Sequence, residues 1–243
     1  MLSAFAAEPK PDYALKTKAV EISISLDAMI KANATLAANC LAEGKTWAGK
    51  NRGEAEASYK DDPQLFRNGG WTFERKYNTV SVVAGRYVSL TRSDYMNTGG
   101  AHPNSDINTI LWDDAQKKRI SVRPFFIETK DGGPTMQAML NLVLAALKAE
   151  KKARGIDDSG SLDWYKDIKP SLLKIGAIAL APSTEPGKSA GFLFFYPPYA
   201  VGPYAEGSFT IFIPWRELKQ SLSSDGAAIF GGNLPPGFIK QVQ

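Results

Sequence analysis

Two residue types are nearly missing from this chain: it has one cysteine, Cys40, and one histidine, His102. A single cysteine excludes an intrachain disulfide and any cysteine-rich zinc or iron–sulfur site. A single histidine excludes every site built on two imidazoles and leaves a serine-type triad only one possible base. Long apolar runs are lacking as well, and none approaches the roughly 20 residues of a membrane-spanning helix. Charge is nearly balanced, with 29 Lys and Arg against 25 Asp and Glu, a net charge of +4 spread along 243 residues. No aromatic or glycine-rich phosphate cradle accompanies the basic residues, so no nucleic-acid partner is expected, and no metal or cofactor either. What remains, 44% hydrophobic and 22% charged residues, suits a globular chain long enough to bury one large core or two smaller ones.

At the start, Ala4-Phe5-Ala6 has the small-x-small pattern of a signal-peptidase site and precedes the polar, proline-rich Pro9-Lys10-Pro11. Residues 1–12 therefore read as an exposed tail or the remnant of an export signal, which implies a soluble periplasmic or extracellular protein. Chance is the competing explanation, since small-residue triplets are common.

Periodicity divides the rest. Val20, Ile22, Ile24 and Leu26 alternate with polar residues, the signature of a half-buried strand. Met29, Ile30, Leu36, Ala37, Cys40 and Leu41 then fall at helical spacing, predicting about four turns with Cys40 as inert core. Residues 44–62 are polar and only weakly helical. Trp71, Phe73 and Tyr77 alternate with Thr72, Glu74 and Lys76, residues 80–83 and 87–90 flank Ala84-Gly85-Arg86 as one hairpin, and residues 106–112 and 119–122 flank a charged turn as a second. Strands in succession predict an antiparallel meander. A second helix begins at Gly132-Gly133-Pro134 and ends before Gly155, with Met136, Met139, Leu140, Val143, Leu144 and Leu147 on its apolar side. Its end carries Lys148, Lys151, Lys152 and Arg154, read as a solvated helix end in preference to an anion-binding patch. Three further strands follow, at residues 175–180, 191–196 and 208–213. The middle one, apolar on both faces, should be central. The expected fold is α+β, with antiparallel sheets and two principal helices packed against them. Residues 13–125 and 126–243 form its two α+β units, expected to make one compact body.

Two stretches concentrate Gly, Pro and aromatic residues. In the first, Tyr95 leads into Gly99-Gly100-Ala101-His102-Pro103-Asn104, where paired glycines permit a backbone closed to other residues. His102 is there either a general base or ligand contact, or a loop anchor bonded to backbone. The second runs from Tyr196 through Pro197, Pro198, Tyr199 and Gly202 to Tyr204 and Gly207. Tyrosines on a proline-stiffened loop suit peptide or glycan recognition, or else bury their rings and cap loop carbonyls. Tyr95, Gly99, Gly100, His102, Asn104, Tyr196, Tyr199 and Tyr204 are therefore the candidate ligand-binding residues, and none is assigned a catalytic role. Adjacent carboxylates such as Asp61-Asp62 and Asp113-Asp114 sit in turn-like contexts and do not form an acid/base pair.

The ordered pair of motifs, Gly99-Gly100-Ala101-His102-Pro103-Asn104 and then Tyr196-Pro197-Pro198-Tyr199-Ala200-Val201-Gly202-Pro203-Tyr204 before Ile213-Pro214-Trp215, resembles the extracytoplasmic RsiV-type domain. That domain closes RsiV anti-sigma factors and stands beside the deacetylase of PdaC-type cell-wall enzymes. The resemblance covers roughly residues 13–222. It implies an envelope location and a non-catalytic role in binding an envelope protein, peptide or cell-wall glycan. In RsiV the domain binds lysozyme; here the net charge of +4 opposes steering toward a basic lysozyme. The competing functional readings are a cell-wall hydrolase with His102 as general base, and a purely structural envelope module.

Overall fold

The structure, a computed structural model, describes residues 10–157 and 162–242; the Ala4-Phe5-Ala6 triplet lies outside them. The chain separates into two units. One holds the chain up to Tyr77 together with Asp94–Asn104, and the other holds Asn78–Ser93 and the chain from Ser105 onward.

In the first unit β1 (Tyr13–Lys16) and β2 (Val20–Leu26) pair antiparallel. Val20, Ile22, Ile24 and Leu26 are buried and the residues between them more open, as a period of two requires. Asp27 caps α1 (Ala28–Ala32) by accepting from the Ile30 N–H at 2.8 Å. Asn33 caps α2 (Ala34–Asp61) by accepting from the Leu36 N–H at 3.1 Å. α2 has 28 residues, and so runs through the polar stretch that periodicity leaves outside the helix. The reason lies in its buried seam of Leu36, Cys40, Gly44, Ala48, Asn51 and Ala55. Most of these side chains are small, so the helical period carries little hydrophobic contrast. They also let the helix lie close on β2: a Cβ on Gly44 would stand 2.9 Å from Cδ1 of Ile24. Cys40 is fully buried there, as expected of a core thiol.

The long helix corrects the expected meander. β2 pairs in parallel with β3 (Trp71–Val83), Val20 beside Trp71 through to Leu26 beside Tyr77. Parallel neighbours need a crossover of a dozen or more residues, usually helical, and α2 with the Pro63–Phe66 turn supplies it. In this unit the strand order is β1-β2-β3-β4, β4 being Tyr87–Asn97. Here β3 and β4 are joined by a buried fork: Arg75 donates through Nε to Asp94 Oδ1 at 2.7 Å and through a second nitrogen to Oδ2, with the Trp47 ring 4.3 Å from the guanidinium carbon.

β3 and β4 continue into the second unit as the expected hairpin. Arg86 N–H donates to Val83 O at 3.0 Å, and Ala84 and Gly85 between them have φ of 54° and 60°. Two left-handed central residues give the turn whose twist matches that of paired strands. β5 (Asn104–Asp113) and β6 (Lys118–Ile120) follow as the second hairpin. Its turn is held by the buried Asp113 carboxylate, which accepts from Ala115 N at 3.0 Å and from the Arg86 fork at 2.8 and 2.7 Å. α3 (Pro134–Ala153) has Gly133 at its N-cap and hence no capping side chain. Glu128 substitutes: its carboxylate accepts from Thr135 N at 2.8 Å and Lys130 N at 2.9 Å. Met136, Met139, Val143 and Leu147 are fully buried in the core of this unit, where α3 packs on β9. After α4 (Leu162–Tyr165), β7 (Ala177–Leu180), β8 (Gly191–Tyr196) and β9 (Phe209–Pro214) form an antiparallel sheet in the order β7-β8-β9. All six residues of the central strand β8 are buried. α5 (Ser224–Ile229) and α6 (Phe238–Val242) complete an α+β fold dominated by antiparallel pairing.

Candidate functional site

The second unit carries an open groove of about 680 Å³. One wall comes from β5 and β6 through Ile107, Thr109 and Ile120, and the other from β7 through Ala177 and Ile178. The chain before β7 contributes Asp167, Leu173 and Lys174, and the end of β8 with its following loop contributes Tyr196, Pro197 and Tyr199. Two of these are large apolar side chains left in water: Leu173 is 89% exposed and Tyr199 48%. Burying such side chains is worth roughly 1.5–3 kcal/mol each, so the exposure of both on the lining of one groove is a feature in need of an occupant.

The tyrosine loop is built by local chemistry. Ala200 N–H donates to Pro197 O at 3.1 Å, closing a turn with Pro198 second and Tyr199 third. Tyr199 has φ of 71°, in the position where this turn type ordinarily takes glycine. The strained backbone turns the ring outward, against Tyr204 at 5.5 Å between centroids. Tyr196 is the opposite case. Its ring is buried, its hydroxyl donates to Ile175 O, and burial raises its pKa above the usual tyrosine value. The ring fits because Gly176, with φ of 123°, has no Cβ; one would stand 2.8 Å from the Tyr196 hydroxyl oxygen.

The basic end of α3 fixes this loop from behind, which corrects the reading of a solvated helix end. Lys151 is 0% exposed, and its Nζ lies 3.0 Å from Glu206 Oε2 and over the rings of Tyr165 and Phe209. Arg154 donates to the carbonyls of Glu206 and Ser208 at 3.3 and 3.0 Å and stacks 4.1 Å from the centre of Phe209. Gly202 makes room for the Glu206 carboxylate, since a Cβ there would overlap Oε2 at 2.1 Å. Lys148 and Lys152 face solvent. No pattern in the sequence separates them from Lys151; only the helical period, which places 151 four residues after the buried Leu147, offered a signal.

The first candidate stretch falls in the other unit. Tyr95 and Asn97 close β4, and Asn104 is exposed at the start of β5. Between them Gly99 has φ of 82°, and its N–H donates to Asn97 Oδ1 at 3.1 Å. Gly100 has an open surrounding and no positive φ, so the glycine pair is needed only at its first member. His102 is exposed, and its Nδ1 donates to the Pro103 carbonyl at 3.0 Å. Among the described residues no three His, Cys, Asp or Glu side chains cluster so as to hold a metal ion, and no helix is long and apolar enough to cross a membrane. Of the eight candidate residues, Tyr196 and Tyr199 line the groove and Tyr204 lies against Tyr199; Tyr95, Gly99, Gly100, His102 and Asn104 share one loop and its flanking strand ends. Leu173 went unremarked because a leucine beside Leu172 in a polar stretch looks like core.

Residues 129–216, which span α3, all three strands of the smaller sheet and the tyrosine loop, match the family model described as "Protein of unknown function (DUF3298)". No curated protein matches the chain. Among solved structures the chain is similar to a DUF3298 family protein from Pseudomonas aeruginosa PAO1, at 17% identity and a TM-score of 0.54, over 93% of this chain and 99% of that one. It also matches a member of the same family from Bacteroides fragilis NCTC 9343, at 18% identity and a TM-score of 0.49, over 86% of each chain. The likeness to the Pseudomonas protein is one of fold, and it extends over nearly the whole of both chains.

Proposed function

We propose that this protein is a non-catalytic binding domain of the cell envelope, and that its ligand is an envelope protein, peptide or cell-wall glycan held in the groove beside the tyrosine loop. The observation that carries the reading is that Leu173 and Tyr199, both exposed, line one concavity. The loop presenting Tyr199 is pre-ordered by a proline turn and by Lys151 and Arg154, so little ordering entropy opposes binding. An envelope location rests on the Ala4-Phe5-Ala6 pattern and on the resemblance to RsiV-type domains. A receptor for a basic lysozyme is the less favoured member of this class, given the +4 net charge. The hydrolase alternative would place its base at His102, an exposed loop residue that does not line this groove.

Isothermal titration against solubilised muropeptides, their peptide-free glycans and lysozyme tests the proposal. Saturable binding of at least one, weakened tenfold or more by Leu173→Asp with an unchanged melting temperature, is the expected result. Binding that is indifferent to both Leu173→Asp and Tyr199→Ala would move the site elsewhere.

A further inference from the structure

We infer that the groove takes an extended polypeptide segment, which adds to the open edge of β7 as a further strand. This rests on the binding reading above and narrows it to one ligand class. The argument begins with the direction of main-chain groups along β7. Ala181 N–H donates to Gly191 O at 2.9 Å, and the same register continues through Ala179 beside Leu193 and Ala177 beside Phe195. In an antiparallel ladder alternate residues turn their N–H and C=O to the same side. Residues 177, 179 and 181 therefore face β8, and Ile178 and Leu180 face outward.

The fold treats those two outward residues differently. Leu180 N–H donates to Ser89 Oγ at 3.0 Å, and Leu180 O accepts from Ser81 Oγ at 2.7 Å. Two side-chain hydroxyls thus close the edge there, the kind of protection that sheet edges ordinarily carry. Two residues earlier on the same edge, Ile178 lines the groove, and because β7 is the edge strand of its sheet no neighbouring strand pairs with its outward side. A donor and an acceptor at strand spacing are left facing the concavity.

The groove's other wall is also a strand edge. β6 pairs only with Leu111, Trp112 and Asp113 of β5, so residues 105–110 have no β6 neighbour. Asp114 N–H donates to Arg86 O at 2.9 Å, which turns even-numbered residues of β5 toward β4 and odd-numbered ones toward the open side. Ile107 agrees: its N–H is closed off by Asp106 Oδ1 at 2.9 Å. Thr109, the next odd residue, lines the groove. A polypeptide is the ligand that carries donors and acceptors at the spacing of such edges. Sugar hydroxyls do not repeat at the strand period. Alternate peptide side chains would meet Ile107, Ile120 and Ile178 on one side and Leu173 and Tyr199 at the rim, the recognition pattern of strand addition.

The test uses the full chain. A phage library of random octapeptides is selected on the immobilised protein, and the enriched peptide is synthesised and titrated. Enriched sequences should alternate apolar and polar residues. Methylating the backbone nitrogens at one alternate set of positions should weaken binding tenfold or more, and methylating the other set should not. Ile178→Pro should weaken binding by a similar factor while the circular dichroism spectrum stays that of the folded chain, because an outward edge N–H takes part in no ladder bond. If that variant fails to fold, the methylated peptides on the wild-type chain still decide the matter. Lack of enrichment, or an enriched peptide indifferent to both methylation sets, overturns strand addition. A peptide-free disaccharide that binds and is sensitive to Leu173→Asp would sustain the binding reading and overturn this one; binding by neither probe class would remove both.

Discussion

Tyr199 shows conformation and chemistry pulling apart within one residue. A left-handed backbone costs a non-glycine residue about 1–2 kcal/mol, and φ of 71° places Tyr199 there. Glycine would remove the strain, less the roughly 0.5–1 kcal/mol of extra chain entropy it loses on folding. Comparing Tyr199→Gly with Tyr199→Ala isolates the backbone, since both lack the ring. In urea unfolding the glycine variant should exceed the alanine variant by roughly 0.5–1 kcal/mol, and both should lose ligand binding alike. Equal stability of the two would mean the turn carries no strain. Residues of this kind sit at sites where position is kept at the expense of stability, and composition alone drew attention to the loop without showing which tyrosine pays in this way.

Elements with strong hydrophobic contrast were legible in the sequence. The alternation of β2, the hairpin turn within Ala84-Gly85-Arg86, the methionine and leucine face of α3 and the all-apolar β8 stand where the pattern puts them. Elements whose burial depends on small side chains were not. The second half of α2 packs through Gly44, Ala48, Asn51 and Ala55, and because its length went unseen, so did the parallel pairing it permits. Two glycines of this helix make the argument quantitative. A Cβ at Gly44 meets Ile24, whereas one at Gly53 meets nothing within 4 Å. Gly53→Ala should raise unfolding free energy by roughly 0.5–1 kcal/mol through helix propensity alone. Gly44→Leu should lower it by roughly 1–3 kcal/mol through overpacking of the seam. Chemical denaturation of the two variants checks both signs, and a stabilised Gly44→Leu would show that the helix stands farther from β2. The groove was illegible for a related reason: strand edges meet in it from residues 105–110 and 177–180, and no local pattern records which main-chain groups go unpaired.

At the scale of the whole molecule, stability against pH collects the titratable groups that the fold perturbs. Asp113 has its pKa lowered by the hydrogen bonds and the positive charge of Arg86 and by the backbone N–H groups of Gln116 and Ala115, against the opposing effect of burial. Glu128 is lowered by the bond from Thr135 N–H, with Lys130 assisting. For both, the folded state holds its proton less tightly than the unfolded chain. Their stabilisation is therefore complete above the unfolded carboxylate values of 3.8 and 4.5 and is lost as pH falls below them. Tyr77 and Tyr196 are raised, by burial first and, for Tyr77, by the Glu43 carboxylate that its hydroxyl meets at 3.0 Å. Their contribution is present below the ordinary tyrosine value of 10.0 and is lost as pH rises past it, when the unfolded chain ionises and the folded one does not. The urea midpoint should thus be nearly flat between about pH 5 and 9 and fall on both sides. Asp113→Asn should lower the plateau and flatten the acid limb, because the midpoint no longer depends on that carboxylate, and Tyr196→Phe should flatten the alkaline limb while leaving the acid one unchanged. An alkaline limb that is identical in wild type and Tyr196→Phe would place the Tyr196 hydroxyl in water, and with it the wall of the groove that this ring forms.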